Sequence, residues 1–101
     1  MNAKRKQIPK EVEAAVLIKS RRRCCLCYFW EQDLRQQDGQ IAHIDHDPSN
    51  PAEDNLAWLC FRHHNQYDSR QSQGKNFTPD ELRHAREQLY AALASLPSDV
   101  A

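Results

Sequence analysis

A small α+β domain is the fold class this sequence predicts, and three observations lead there. Two short segments, residues 40–44 and 55–60, alternate as strands do, and a polar helical stretch at 62–68 follows the second at once. Helices at about 10–20 and 79–95 flank this strand, loop, strand, helix unit, which is a ββα arrangement. Cys24 and Cys27 before the strands, and Cys60 and His63 after them, stand as two close pairs suited to one metal ion. At 101 residues the chain makes one domain with a modest core. A cross-link through a bound ion therefore replaces part of the missing hydrophobic stabilisation, and folding is expected to depend on metal.

The elements follow in order. Residues 1–8 read as a flexible basic arm, leaving 9–101 as the single domain. From Pro9 the run Glu11-Val12-Glu13-Ala14-Ala15-Val16-Leu17-Ile18-Lys19 suits a helix, with proline in the first turn and basic residues near the C-terminal end. Cys24 to Cys27 reads as a tight knuckle, followed by apolar Tyr28-Phe29-Trp30 and a polar segment to Gly39. Gln40-Ile41-Ala42-His43-Ile44 is the first strand, and two prolines in Asp47-Pro48-Ser49-Asn50-Pro51 end it. Asn55 to Cys60 alternates as the second strand, and Arg62 to Asp68 carries His63 and His64 away from its end on a helix. Thr78-Pro79-Asp80-Glu81 has the pattern of a capping box with proline at the first helical position. Leu82, Ala85, Leu89, Leu93 and Leu96 follow at helical spacing, so that stripe is core. Trp30 and Trp58 are also expected in the core, and His84 and Tyr90 have no expected chemistry.

Four cysteines are enough for two disulfides, but the polar, basic start has no apolar leader core behind it, and no run of about 20 apolar residues follows anywhere. A cytoplasmic location without membrane contact is the expectation, and there a Cys-x-x-Cys pair is a metal or redox element. Two residues between paired ligands let a knuckle aim both at one Zn²⁺. Cys24 and Cys27 have that spacing, which leaves Cys25 as a buried thiol. The net charge of zero conceals an asymmetry. Lys4, Arg5, Lys6, Lys10, Lys19, Arg21, Arg22 and Arg23 crowd the first quarter, whereas Asp33, Asp38, Asp45, Asp47, Glu53 and Asp54 occupy the middle. A basic stretch beside an acidic, histidine-bearing segment suits a metal-dependent site acting on a polyanion. Lys4, Arg5, Lys6, Arg21, Arg22 and Arg23 are thus the candidate nucleic-acid contacts.

Taken together, Cys-x-x-Cys, Ala42-His43-Ile44, Asn55-Leu56-x-x-Leu59-Cys60-x-x-His63-His64 and the ending Asn65-Gln66-Tyr67-Asp68 resemble the HNH endonuclease family, the zinc-bearing branch of the His-Me finger nucleases. The resemblance covers roughly residues 20–70. It implies a ββα-metal core stabilised by one structural zinc on Cys24, Cys27, Cys60 and His63, and a DNA-cutting activity. His43 matches the general base, Asn55 the residue that holds the loop and the base imidazole, and His64 the ligand of a catalytic divalent cation, Mg²⁺ or else Mn²⁺ or Ni²⁺. His46 stays open as the base because Asp45-His46 matches the acidic-residue-then-His pair of many members. Asp45, His46, Asp47 and Asp68 stay open as further ligands. No recognition helix or finger array is visible, so specificity is expected from dimerisation or a partner protein.

Two other readings fit fewer of these residues. A zinc module that binds DNA or protein without hydrolysis has no need of His43 with His64. A redox switch on Cys25 requires a reactive thiol of low pKa.

Overall fold

The computed structural model describes residues 7–69 and 77–96. It is a small α+β structure with four α-helices and one two-stranded antiparallel sheet among the described residues. Helix α1 spans Lys10–Ser20, α2 Cys25–Glu31, β1 Gly39–His43, a 3₁₀ turn Glu53–Asn55, β2 Leu56–Cys60, α3 Phe61–Asp68 and α4 Pro79–Ala94. No helix among the described residues is long and apolar enough to cross a membrane.

Helix α1 begins where the Pro9 carbonyl accepts from the amides of Val12 and Glu13, and Glu11 and Glu13 sit at its positive end. It stops at Arg21, whose left-handed backbone (φ 51°) turns its amide back onto the Ile18 carbonyl. Arg22 is also left-handed (φ 56°) and stacks its guanidinium 5.4 Å from the Trp58 ring centre. At the other end, Thr78 and Glu81 make both halves of the capping box that starts α4. Leu82, Ala85, Leu89 and Leu93 then bury the α4 stripe, much of it against α2.

Across the sheet Gly39 pairs with Cys60, Ile41 with Trp58 and His43 with Leu56. The glycine is needed: a Cβ at position 39 would lie 1.9 Å from the Leu59 carbonyl oxygen. Gly39→Ala must push the strands apart beside Cys60. A clash with backbone has no side chain to swing aside, so the cost is expected at or above about 3 kcal/mol, the upper end for overpacked sites. Urea denaturation of the metal-loaded protein measures it, and an unchanged midpoint would show that the strands separate freely there.

The core has two parts. The larger joins α2, the sheet, Tyr67 and α4, while Val16, Leu56 and Trp58 form the smaller under α1. Three expectations are corrected. The segment after the knuckle is the seven-residue helix α2, capped by the Cys24 sulfur and packed on α4, although its aromatic and cysteine residues are middling helix formers. Trp30 is 53% exposed, its ring meeting those of Phe29 and Phe77 rather than the buried core. Arg23 is buried, with its guanidinium donating to the Leu34 carbonyl (2.7 Å) and the Arg21 carbonyl (3.0 Å). It braces the loop and offers little surface to a phosphate. Lys4, Arg5 and Lys6, and most of the expected arm, lie outside the described residues.

One structural residue gave no sequence signal. Arg86 on α4 is buried and donates to the carbonyls of Asp54 (2.8 Å) and Leu56 (3.1 Å), on either side of Asn55. Its pairing with exposed Glu87 adds little in solvent. Arg86→Met keeps much of the bulk and strands two carbonyls, so it should cost about 2–3 kcal/mol, as charge-assisted hydrogen bonds do. A denaturation midpoint equal to wild type would refute the brace.

Candidate functional site

Cys24 ends the loop after α1, Cys27 sits in the first turn of α2, Cys60 ends β2 and His63 lies in the first turn of α3. All four are buried, and their ligand atoms lie within 4.8 Å of one another. His63 Nδ1 is 3.4 Å from each of the three sulfurs, and the Cys27 and Cys60 sulfurs are 3.7 Å apart. One imidazole nitrogen carries at most one proton, so hydrogen bonding cannot account for three equal approaches. A tetrahedral Zn²⁺, about 2.3 Å from sulfur and about 2.0 Å from nitrogen, puts its ligand atoms about 3.5–3.8 Å apart. The arrangement is consistent with a structural zinc site.

The backbone prepares it. The Cys27 amide points at the Cys24 sulfur and the His63 amide at the Cys60 sulfur, both at 3.5 Å, so each pair caps a helix while presenting its ligands. Burial pushes the Cys24 and Cys27 thiols up in the absence of an ion, and burial, with Arg62 nearby, pushes the His63 imidazole down. A neutral imidazole is the ligating form, whereas the thiols must lose their protons to the ion. Cys25 is buried outside the cluster, and burial, only partly offset by Arg86, lifts its thiol to about 12. That is the reverse of the low pKa a redox switch on Cys25 requires.

His43 and Asn55 meet where β1 ends. His43 is the last residue of β1 and is buried. Asn55, also buried, fastens the loop that follows: its Oδ1 accepts from the Asp45 amide (3.0 Å), and its Nδ2 donates to Asp45 Oδ1 (2.9 Å) and the Asn50 carbonyl (3.1 Å). The Ile44 amide donates to the Asn55 carbonyl at 2.7 Å. Burial alone would raise the Asp45 carboxyl, but hydrogen bonds from Asn50, the Asp47 amide and Asn55 bring it below the usual range. Hydrogen bonds from the Ser49 hydroxyl and amide do the same for Asp47. Both carboxylates thus serve the loop.

His46 is left-handed (φ 63°), and its ring stacks on Tyr67 with centroids 4.5 Å apart and planes at 14°. Tyr67 in turn donates its hydroxyl to the Ile44 carbonyl. The sequence marked Tyr67 only as part of a motif ending, and nothing in the spacing showed that it holds the loop. His64 lies on α3, which packs against β1. Its Nε2 is 3.7 Å from Asp68 Oδ2. Its Nδ1 is buried without a hydrogen-bond partner among the described residues. Of the carboxylates left open as ligands, Asp68 is the one beside His64. Among the described residues, no second group of three His, Cys, Asp or Glu side chains gathers around one point.

Of the basic candidates, Arg22 is exposed, Arg21 half-buried and Arg23 buried. Neither protein-family models nor curated proteins yield a match to this chain.

Proposed function

We propose that this protein is a metal-dependent DNA endonuclease of the HNH type, with a ββα-metal core held by structural zinc. One observation carries the reading: β1 ends on His43, Asn55 fastens the loop beyond it, and the helix that follows β2, which carries His64, packs against β1. A purely structural zinc module needs none of these three.

In this reading His43 takes the proton from the attacking water. A base in that role acts as the neutral imidazole, which accepts the proton at a ring nitrogen. Asn55 holds the loop through Asp45 and Asn50, so that the chain leaving His43 keeps one path. His64 and Asp68 are the residues that would hold a divalent cation, Mg²⁺ or Mn²⁺, which when bound supplies positive charge for the leaving oxygen. Exposed Arg22, with Lys4, Arg5 and Lys6 of the arm, contributes phosphate affinity without sequence readout. Specificity would then come from a second copy or a partner.

Supercoiled plasmid incubated with the zinc-loaded protein tests the reading. Nicking that requires added Mg²⁺ or Mn²⁺ is the expected result. The commitment of Asp45 and Asp47 to loop hydrogen bonds favours a second reading, a zinc module that binds DNA and leaves it intact. DNA retarded in a gel yet uncut under every ion would establish that reading and sink the first.

A further inference from the structure

The four metal ligands do not stand alone, and two side chains outside the set approach them. Gln37 Nε2 donates to the Cys27 sulfur at 3.1 Å. Gln37 is held for this by its backbone, whose amide donates to the Arg22 carbonyl (3.1 Å) and whose carbonyl accepts from Trp58 Nε1 (3.2 Å). At the imidazole, Glu31 Oε2 lies 4.0 Å from His63 Nε2, the ring nitrogen not facing the sulfurs. Glu31 is the last residue of α2 and Arg62 an early residue of α3, and Arg62 Nη2 grips both Glu31 carboxylate oxygens at 3.0 and 3.1 Å. The Glu31–Arg62 contact therefore joins the two helices that present the ligands.

We propose that Gln37 and Glu31 are positioning residues of the metal site: Gln37 stabilises the Cys27 thiolate, and Glu31, steadied by Arg62, sets a carboxylate charge behind the His63 ring on its Nε2 side. The chemistry requires groups of these two kinds. Three thiolates and one neutral imidazole on Zn²⁺ carry a net charge of minus one, so a donor at one sulfur offsets part of the excess. A carboxylate behind the imidazole favours the tautomer with its proton on Nε2, which leaves Nδ1 free to face the ion. As a surface ion pair alone, Glu31 and Arg62, both well exposed, would matter little.

This inference rests on the zinc reading of the cluster and not on nuclease activity. Competition with a chromophoric chelator measures zinc affinity in wild type, Gln37→Leu, Glu31→Gln, Arg62→Gln and the Glu31→Gln/Arg62→Gln double variant. Each of Gln37→Leu and Glu31→Gln is expected to lose about 10–100-fold, the usual range for such partners. The double variant should lose no more than Glu31→Gln, because Arg62 acts through Glu31. Cobalt(II) in place of zinc supplies a second readout: Gln37→Leu should shift the thiolate-to-cobalt charge-transfer band, which a residue that merely packs would leave in place. Wild-type affinity in either single variant overturns the inference. So does a lower unfolding midpoint of the zinc-saturated variant with unchanged affinity. A wild-type protein that takes up neither metal overturns the zinc site itself, and this proposal with it.

Discussion

Cys60→Ala protein purified without added metal is expected to contain no zinc and to lose both its helical far-UV signal and its cooperative melt. Cys60 has three roles at once. It ends β2 opposite Gly39, caps α3 by accepting the His63 amide, and supplies a sulfur to the cluster. The metal contribution dominates in magnitude. Structural zinc in small domains is worth about 10–16 kcal/mol at pH 7, whereas a whole domain is stable by about 5–15 kcal/mol. Losing one of four ligands therefore removes more than a core of this size can replace. Chelation of the wild type should have the same result. Cys25→Ala is the control: its sulfur is buried outside the cluster, so zinc content should stay at one per chain while stability falls modestly. A folded, metal-free Cys60→Ala protein with the wild-type spectrum would show that the cluster does not hold the fold.

The second large effect is on cutting. If the chain hydrolyses DNA, His43→Ala should slow it by about 10²–10⁴-fold, the usual cost of losing a general base, while affinity for the catalytic ion stays near wild type. His64→Ala should weaken that affinity as well, so the two variants separate in a titration with Mn²⁺. Zinc content must be equal in all samples. His46→Ala removes a stacking contact with Tyr67 worth about 0.5–1.5 kcal/mol and should leave most of the rate. A dead His46→Ala beside a normally cutting His43→Ala would transfer the base role to the Asp45-His46 pair. Equal losses in both would make His46 a ligand beside the base.

Local signals in the chain were enough for much of the architecture. Helix α4 was readable to within a residue because a capping box and an apolar stripe are written in consecutive positions, and α1 because proline marks its start and basic residues its end. The strands were readable from alternation and from the prolines between them. The metal cluster was readable too, since two-residue spacing is itself the geometry of a ligand pair, and one Cys₂ and one Cys–His pair leave few other destinations for four soft ligands.

What escaped the sequence depends on contacts between distant positions. Helix α2 is held by the Cys24 cap and by packing on α4, so its own residues announce little. Trp30 and Arg23 exchanged their expected places, because exposure is decided by which side of a helix or loop meets a neighbour and not by residue type alone. The same holds at the candidate site. Sequence order placed Asn55 and Asp45 ten positions apart without showing that they bond twice, and it left Asp45, His46, Asp47 and Asp68 equivalent as ligands. Only the fold separates them: hydrogen bonds occupy Asp45 and Asp47, an aromatic stack holds His46, and one turn of α3 sets Asp68 beside His64. By itself the sequence determined the residues that could carry chemistry and the ligand spacing. The tertiary structure decided which of them face one another, because side-chain partners are chosen by packing across elements that the chain order does not encode.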